Sequence, residues 1–354
     1  MKWGVALTTY KPPQWDQRIV FKNSLEIALK AEELGYDDLW VLEHHFTEYG
    51  LCSDAMLMSG YLLGMTSRIK VGTAIVVAPL VHPVRLVEQV NLLDQMSRGR
   101  FIAGFGRGFF PLDFQIYGVD VTQNHKMLQE WIEIMFKTWE NNGRISWESD
   151  LIQFPEISVY PEKYTKPRPP VYVVGESPST IEWAATVGIP IIMNIPQSIE
   201  QVKAKLETYN EIAEANNHDP SQIKHIISAV VHVADSKEQA SHDIVKNIEN
   251  WHDDAMKVAF SVDQLRKLPN YRFHFSQFQD AILNGESDAS VIVKKALDIS
   301  PIGTADDCIE AFEYLKRETG VGHYICGFEG TLERNKILDS MQRFSEEVIP
   351  KFEK

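Results

Sequence analysis

The chain has 354 residues, 44% of them hydrophobic and 24% charged, a globular composition that excludes disorder as the main state. The length suits one α/β barrel of about 250 residues with insertions. Net charge is -14, from 49 acidic and 35 basic residues, so a phosphate backbone meets a repulsive field and nucleic acid is not an expected partner.

No run approaches the roughly 18 apolar residues of a membrane helix, and the start of the chain turns polar too soon for a secretory signal. A cytoplasmic protein without a membrane anchor is expected. Cys52, Cys308 and Cys326 are odd in number and widely spaced, which suits neither a disulfide framework nor a zinc cluster.

The first apolar run, 3–8, reads as a buried strand. It leads into Thr8-Thr9-Tyr10-Lys11-Pro12-Pro13, which lacks the glycine fingerprint of a doubly wound sheet. Ile27, Ala28, Ala31 and Leu34 then recur at helical spacing. The second strand, 38–42, ends in Glu43-His44-His45-Phe46. Alternation along a strand points Glu43 and His45 one way and His44 the other. Two histidines on opposite faces, with no HExxH nearby, argue against a metal site. An imidazole at a strand end is either a packed structural group or a general base.

The third strand is 70–75. His82-Pro83-Val84-Arg85 and the segment from Asn91 to Arg100 read as structural, with an Asp94–Arg98 ion pair at i, i+4 and Gly99 ending a helix. The fourth strand, 101–105, runs into Gly104-Phe105-Gly106-Arg107-Gly108, by itself no more than a tight turn. The stretch 141–170, rich in Pro, Trp and Tyr, reads as an ordered excursion with extended pieces.

The fifth strand, 171–174, gives way to Gly175-Glu176-Ser177-Pro178-Ser179-Thr180 and then a helix. Unpaired N–H groups at such a helix start suit an anion, and a phosphate fits. Arg107 supplies a charged partner for it. The alternative is that Ser179 or Thr180 merely caps the helix. Strands at 189–193 and 225–233 follow, with Val202, Leu206, Tyr209 and Ile212 at helical spacing between them. An insertion over about 260–300, carrying Arg266, Lys267, Tyr271 and Arg272, reads as a lid over a barrel mouth or as a solvated loop. The last strand, 324–328, holds Cys326 as a buried, inert thiol. Eight such βα units predict a single (β/α)8 TIM barrel over 1–354 with insertions, its active site at the carboxyl ends of the strands.

Several segments, in this order, carry a resemblance: 39–48, His82-Pro83-Val84-Arg85, Leu92-Leu93-Asp94-Gln95-Met96-Ser97, 171–174, Glu176-Ser177, Glu182-Trp183-Ala184-Ala185 and Cys326-Gly327-Phe328-Glu329. Together they span nearly the whole chain, which resembles the bacterial luciferase-like flavin-dependent monooxygenases. That resemblance implies reduced FMN (FMNH2) at the barrel mouth, O2 as co-substrate, a flavin C4a-peroxide, and transfer of one oxygen atom to a small organic molecule. It also implies a separate flavin reductase and a homo- or heterodimer. By position His44 matches the family's catalytic histidine. Glu43, Arg107, Glu176, Ser177 and Thr180 match flavin-contacting positions, with Arg107, Ser177 and Thr180 nearest the phosphate. Val174 and Gly175 belong to the same flavin-binding stretch. Ala74-Ile75 falls where the family carries a non-prolyl cis peptide beneath the flavin.

Three departures bear on the substrate. Gly106 replaces a reactive cysteine, which removes thiol chemistry and is expected to enlarge the pocket. His125 replaces a phosphate-binding arginine, and Ile195, preceded by Asn194, replaces a pocket tryptophan. With Arg266, Tyr271 and Arg272 in the lid, the expected substrate is an anionic N-heterocycle such as a pyridinium carboxylate, opened at its ring, or an aldehyde or ketone. The alternatives are a light-emitting luciferase α subunit acting on a long-chain aldehyde and a non-catalytic flavin-binding partner subunit. Deazaflavin-dependent dehydrogenases share the expected fold.

Overall fold

The computed structural model describes residues 1–108, 110–194, 198–260, 294, 297–331 and 333–353. Strands among them are β1 Lys2–Leu7, β2 Asp38–Val41, β3 Lys70–Thr73, β4 Val76–Val77, β5 Phe101–Gly106, β6 Arg144–Glu148 and β7 Gln153–Ser158. They continue with β8 Val171–Val174, β9 Ile191–Asn194, β10 Ile226–Val230, β11 His232–Val233, β12 Ile302–Gly303 and β13 His323–Gly327. The main helices are α1 Gln17–Glu33, α2 Ala55–Met65, α3 Pro83–Ser97, α4 Pro111–Tyr117 and α5 Asn124–Glu140. After them come α6 Pro178–Thr186, α7 Ile199–Ala215, α8 Lys237–Phe260, α9 Ala305–Thr319 and α10 Arg334–Arg343.

Strands β3, β2, β1, β13, β10, β9, β8 and β5 lie side by side in that order, all parallel, and β5 pairs back onto β3 through Val71–Phe101 and Gly72–Ile102. The sheet is therefore a closed eight-stranded barrel, as the βα alternation predicts. Period-two patterning sorts the side chains. Ala6, Trp40, Ile102, Ile192, Ile226 and Ile325 fill the interior, while Val5, Leu7, Leu39, Val41 and Phe105 pack outward beneath the helices.

Trp40, fully buried, is the largest interior side chain. The flanking strands make room for it with glycine. A methyl group at Gly4 would lie 2.7 Å from Trp40 Nε1, and one at Gly72 2.7 Å from Trp40 Cε3. The indole donates to Asp38 Oδ1, and His323 Nε2 stands 3.0 Å from Asp38 Oδ2. Asp38 and His323 begin their strands, so this polar plug closes the barrel at its amino-terminal face, where such groups serve stability.

The third strand, predicted over 70–75, stops short, and a second piece follows beyond its predicted end. β3 ends at Thr73, the Ala74–Ile75 peptide is cis, and β4 resumes the pairing with β5 through Val76–Phe105 and Val77–Gly106. The excursion at 141–170 contains the antiparallel β6–β7 hairpin and cis bonds before Pro161 and Pro167. It is tied down by Asp94, whose carboxylate accepts the N–H groups of Tyr164 and Thr165 and the Thr165 hydroxyl, each at 2.7 Å. This replaces the expected Asp94–Arg98 pair: Arg98 takes a left-handed conformation with φ 55° and ends α3, its side chain exposed. Cys52, Cys308 and Cys326 are buried free thiols, and burial pushes the first two up to about 12. No helix among the described residues is long and apolar enough to cross a membrane.

Candidate active site

The polar side chains singled out in the sequence gather just past the carboxyl ends of β2, β5 and β8, on one mouth of the barrel. Beyond β2, the buried Glu43 uses both oxygens: Oε2 accepts the Ala55 N–H that opens α2, and Oε1 accepts the Val77 N–H of β4, both at 2.9 Å. Glu43 thus ties two elements together at the rim. His45 Nε2 stands 3.6 Å from Glu43 Oε1, so the alternation rule placed these two correctly on one side. Burial lowers the His45 pKa, but Glu43, Asp113 and Asp54 outweigh it and hold it above the ordinary histidine value. The Tyr117 hydroxyl lies 3.3 Å from His45 Nδ1.

His44 faces the other way, packed edge-on against Tyr49 with ring centroids 4.6 Å apart, and Phe110 lies 5.8 Å off. Burial, with help from His45, lowers its pKa to about 3. The imidazole is therefore neutral at physiological pH. A base that weak takes a proton poorly at rest, and the neutral ring is better suited to hydrogen bonding a reacting group than to storing charge.

Beside this pair, sequence reading missed Asp113 in the first turn of α4. It is buried, its Oδ1 has no hydrogen-bond partner among the described residues, and burial raises its pKa to about 6, with Glu43 adding to the effect and His45 opposing it. The available signal was an acidic residue in the first turn of a proline-initiated helix just after a strand. Glu329, the last residue of the quoted Cys326-Gly327-Phe328-Glu329, was also given no role. Its Oε2 accepts the Thr8 N–H at 2.6 Å and the Thr8 hydroxyl at 2.7 Å, and burial raises its pKa despite those donors.

Beyond β4 and β5, Gly106 does not open the pocket. A methyl group there would lie 2.7 Å from Ile75 Cδ1 and 2.8 Å from Ile75 Cγ1. The Ile75 side chain already occupies the space, which corrects the expectation of added room. Ala74 and Val174 pack on the interior core at this end. Gly175 brings the backbone close to Ile191, where an added methyl group would lie 2.8 Å from Ile191 Cβ. Glu176 accepts the Asn194 N–H at 2.9 Å and pairs with Lys205 Nζ at 2.6 Å; Lys205, on α7, is a partner that sequence spacing did not suggest. Ile195, Arg266, Tyr271 and Arg272 lie outside the described residues.

Ser177 is the N-cap of α6, but its side chain makes no capping bond. Its hydroxyl instead meets that of Thr180 at 2.9 Å and that of Ser179 at 3.5 Å. A simple capping role for Ser179 or Thr180 is therefore not what the geometry shows. The buried Arg107 and the half-buried His125 adjoin this helix start: Arg107 acts on the His125 charge, and the His125 ring bonds to the Ser179 backbone. His125 Nε2 is buried and has no hydrogen-bond partner among the described residues. An uncapped helix start, clustered hydroxyls, a guanidinium and an orphaned imidazole nitrogen fit a phosphate group. Among the described residues no cluster of three or more His, Cys, Asp or Glu could hold a metal ion.

Residues 1–323 match the family model described as luciferase-like monooxygenase. The alkanal monooxygenase alpha chain of the Kryptophanaron alfredi symbiont is 38% identical over 351 residues, 99% of this chain and 98% of its own length. That of Aliivibrio fischeri is 35% identical over 350 residues, again 99% and 98% of the two chains. Among solved structures, monooxygenase RslO1 from Streptomyces bottropensis superposes with a TM-score of 0.83 at 23% identity, covering 99% of this chain and 100% of that one. The oxygenating constituent of 3,6-diketocamphane monooxygenase of Pseudomonas putida, in complex with FMN, superposes with a TM-score of 0.78 at 20% identity, covering 99% and 98%. At those identities the two structures speak for the fold.

Proposed function

This chain belongs to the luciferase-like monooxygenase family, and on that footing we propose that it is the oxygenase component of a two-component system. A separate reductase supplies reduced FMN, O2 is the co-substrate, and a small organic molecule receives one oxygen atom. The observation that carries this reading is the phosphate-fitting cradle of Arg107, Ser177 and Thr180 on the same barrel mouth as His44. In this reading Arg107, Ser177, Thr180 and the first N–H groups of α6 hold the phosphate. Ala74, Ile75, Gly106, Val174 and Gly175 line the flavin ring. Bound reduced FMN would supply the two electrons that activate O2, and O2 would supply the transferred oxygen atom.

The protein's own residues supply the setting. His44, kept neutral by burial, offers one N–H and one lone pair to the reacting group. Tyr49 and Phe110, packed edge-on and tilted around it, exclude water and so strengthen that hydrogen bond. Glu43, with both oxygens engaged, fixes the loop that presents His44. The overall balance is substrate, O2 and FMNH2 giving oxygenated substrate, FMN and water.

For the substrate we favour an aldehyde or ketone. The relatives named as alkanal monooxygenases match end to end, whereas the case for an anionic heterocycle rests on Arg266, Tyr271 and Arg272, outside the described residues. Emission of light on aldehyde oxidation is a second reading, favoured by the match to the luciferase-like family model. A dimer is proposed through α2 and α3, which pack side by side. Leu57, Tyr61 and Met65 form one stripe at four-residue spacing and Leu92 with Met96 another, and Leu57 is 73% and Met96 71% exposed.

The test is a substrate screen with an added flavin reductase, following O2 uptake, product mass and photon yield with decanal. Product carrying one added oxygen, lost in His44→Ala while flavin binding persists, is the expected result. Oxygenation unchanged in His44→Ala contradicts the role given to that residue.

A further inference from the structure

We infer that His125 is a proton-coupled anchor for the cofactor phosphate: the imidazole takes up a proton as the phosphate arrives, so that the grip on the cofactor weakens as pH rises. This role rests on the flavin reading above and adds a regulatory property to its phosphate site.

The geometry carries it. His125 lies in the first turn of α5, facing the start of α6. Its ring bonds to the Ser179 backbone, and since Nε2 has no partner, Nδ1 makes that bond. A neutral imidazole that donates through Nδ1 presents a bare lone pair at Nε2. A lone pair cannot receive a phosphate oxygen, which is itself only an acceptor. Protonation turns Nε2 into a charge-assisted donor.

The charged group acting on His125 among the described residues is Arg107, which together with burial, the larger effect, keeps the imidazole below its ordinary value; the Ser179 contact opposes them. With no anion present, Nε2 therefore stays bare and unpaired. A phosphate dianion between Arg107 and His125 offsets the guanidinium charge and supplies the missing acceptor, so both changes favour the protonated ring against the burial that opposes it. The sign follows from linkage: the bound form holds its proton to higher pH than the free form, so binding is tightest at low pH and is lost across the window between the two values.

The experiment measures anaerobic binding of reduced FMN and of reduced riboflavin to the full chain, by calorimetry in two buffers of unequal ionisation enthalpy. It runs above about pH 7, where the phosphate's own second ionisation, near pH 6, is complete. The expected result for FMN is uptake approaching one proton and a Kd that rises by up to about tenfold per pH unit. Riboflavin, without the phosphate, shows neither effect. His125→Arg keeps FMN binding with a flat profile, and His125→Gln binds FMN more weakly, also with a flat profile. FMN binding by the unaltered chain with no pH slope and no proton uptake overturns the inference alone, as does a slope that persists in His125→Arg or appears with riboflavin. A folded chain that binds neither ligand contradicts the flavin reading, and the inference with it.

Discussion

Replacing Gly106 with alanine probes how the barrel mouth is filled. The new methyl would sit 2.7 Å from Ile75 Cδ1 and 2.8 Å from Cγ1, with Ile75 Cβ at 3.6 Å. Carbon contacts settle near 3.5 to 4.0 Å, so the end of the Ile75 side chain must move by about 1 Å. Overpacking of this kind typically costs about 1 to 3 kcal/mol. Here the obstacle is the far end of a side chain rather than backbone, so we expect about 1 to 1.5 kcal/mol. Ile75→Ala removes Cγ1 and Cδ1 and leaves only the ordinary contact to Cβ. In that background Gly106→Ala should cost less than about 0.5 kcal/mol, a coupling of about 1 kcal/mol between the two sites. Urea unfolding of the four proteins, followed by tryptophan fluorescence, completes the cycle. An equal cost of Gly106→Ala in both backgrounds would refute the filling of this space by Ile75 and restore the open pocket expected from the glycine.

Asp94→Ala should cost about 3 kcal/mol, because two backbone N–H groups and a hydroxyl lose a buried charged acceptor. It should also expose the stretch 141–170 to limited proteolysis. Arg98→Ala should change stability by less than about 0.5 kcal/mol, and matching losses in the two variants would instead restore the local ion pair. Asp113 carries a pH signature. Its folded-state pKa is raised to about 6 from 3.8, so its contribution to stability is present below about pH 4 and disappears as pH rises through about 6. Asp113→Asn should therefore become more stable than the parent by about 1 to 3 kcal/mol above pH 6 and match it near pH 4. Urea midpoints that run parallel across this range would contradict the shift.

What was legible in the sequence divides along the range of the interactions. Period-two and period-3.6 patterning is local, and it located all eight barrel strands and put Glu43 and His45 on one face. Features set by distant segments were not legible. Asp94 bonds to Tyr164 and Thr165 some seventy positions on, and no spacing rule near Asp94 announces that. Ile75 fills the space beside Gly106 because β4 and β5 pair there, a register that composition does not encode. Asp113 and Glu329 were visible as carboxylates just past strands, but their burial follows from how the mouth closes over them. His125 stood out by the resemblance alone, and only the structure shows the bare nitrogen facing the start of α6.

Transfer of one atom of O2 to an organic substrate, by the reduced flavin bound at this mouth, is the reaction on which the proposed function stands or falls. It can be followed in a single turnover in which the chain, loaded anaerobically with reduced FMN and an aldehyde or ketone, is mixed with isotopically labelled O2. The expected product bears one labelled oxygen, forms in proportion to the FMNH2 oxidised and is suppressed in His44→Ala. Oxidation of the flavin with every oxygen atom recovered as hydrogen peroxide, for every aldehyde and ketone tried, would contradict that function.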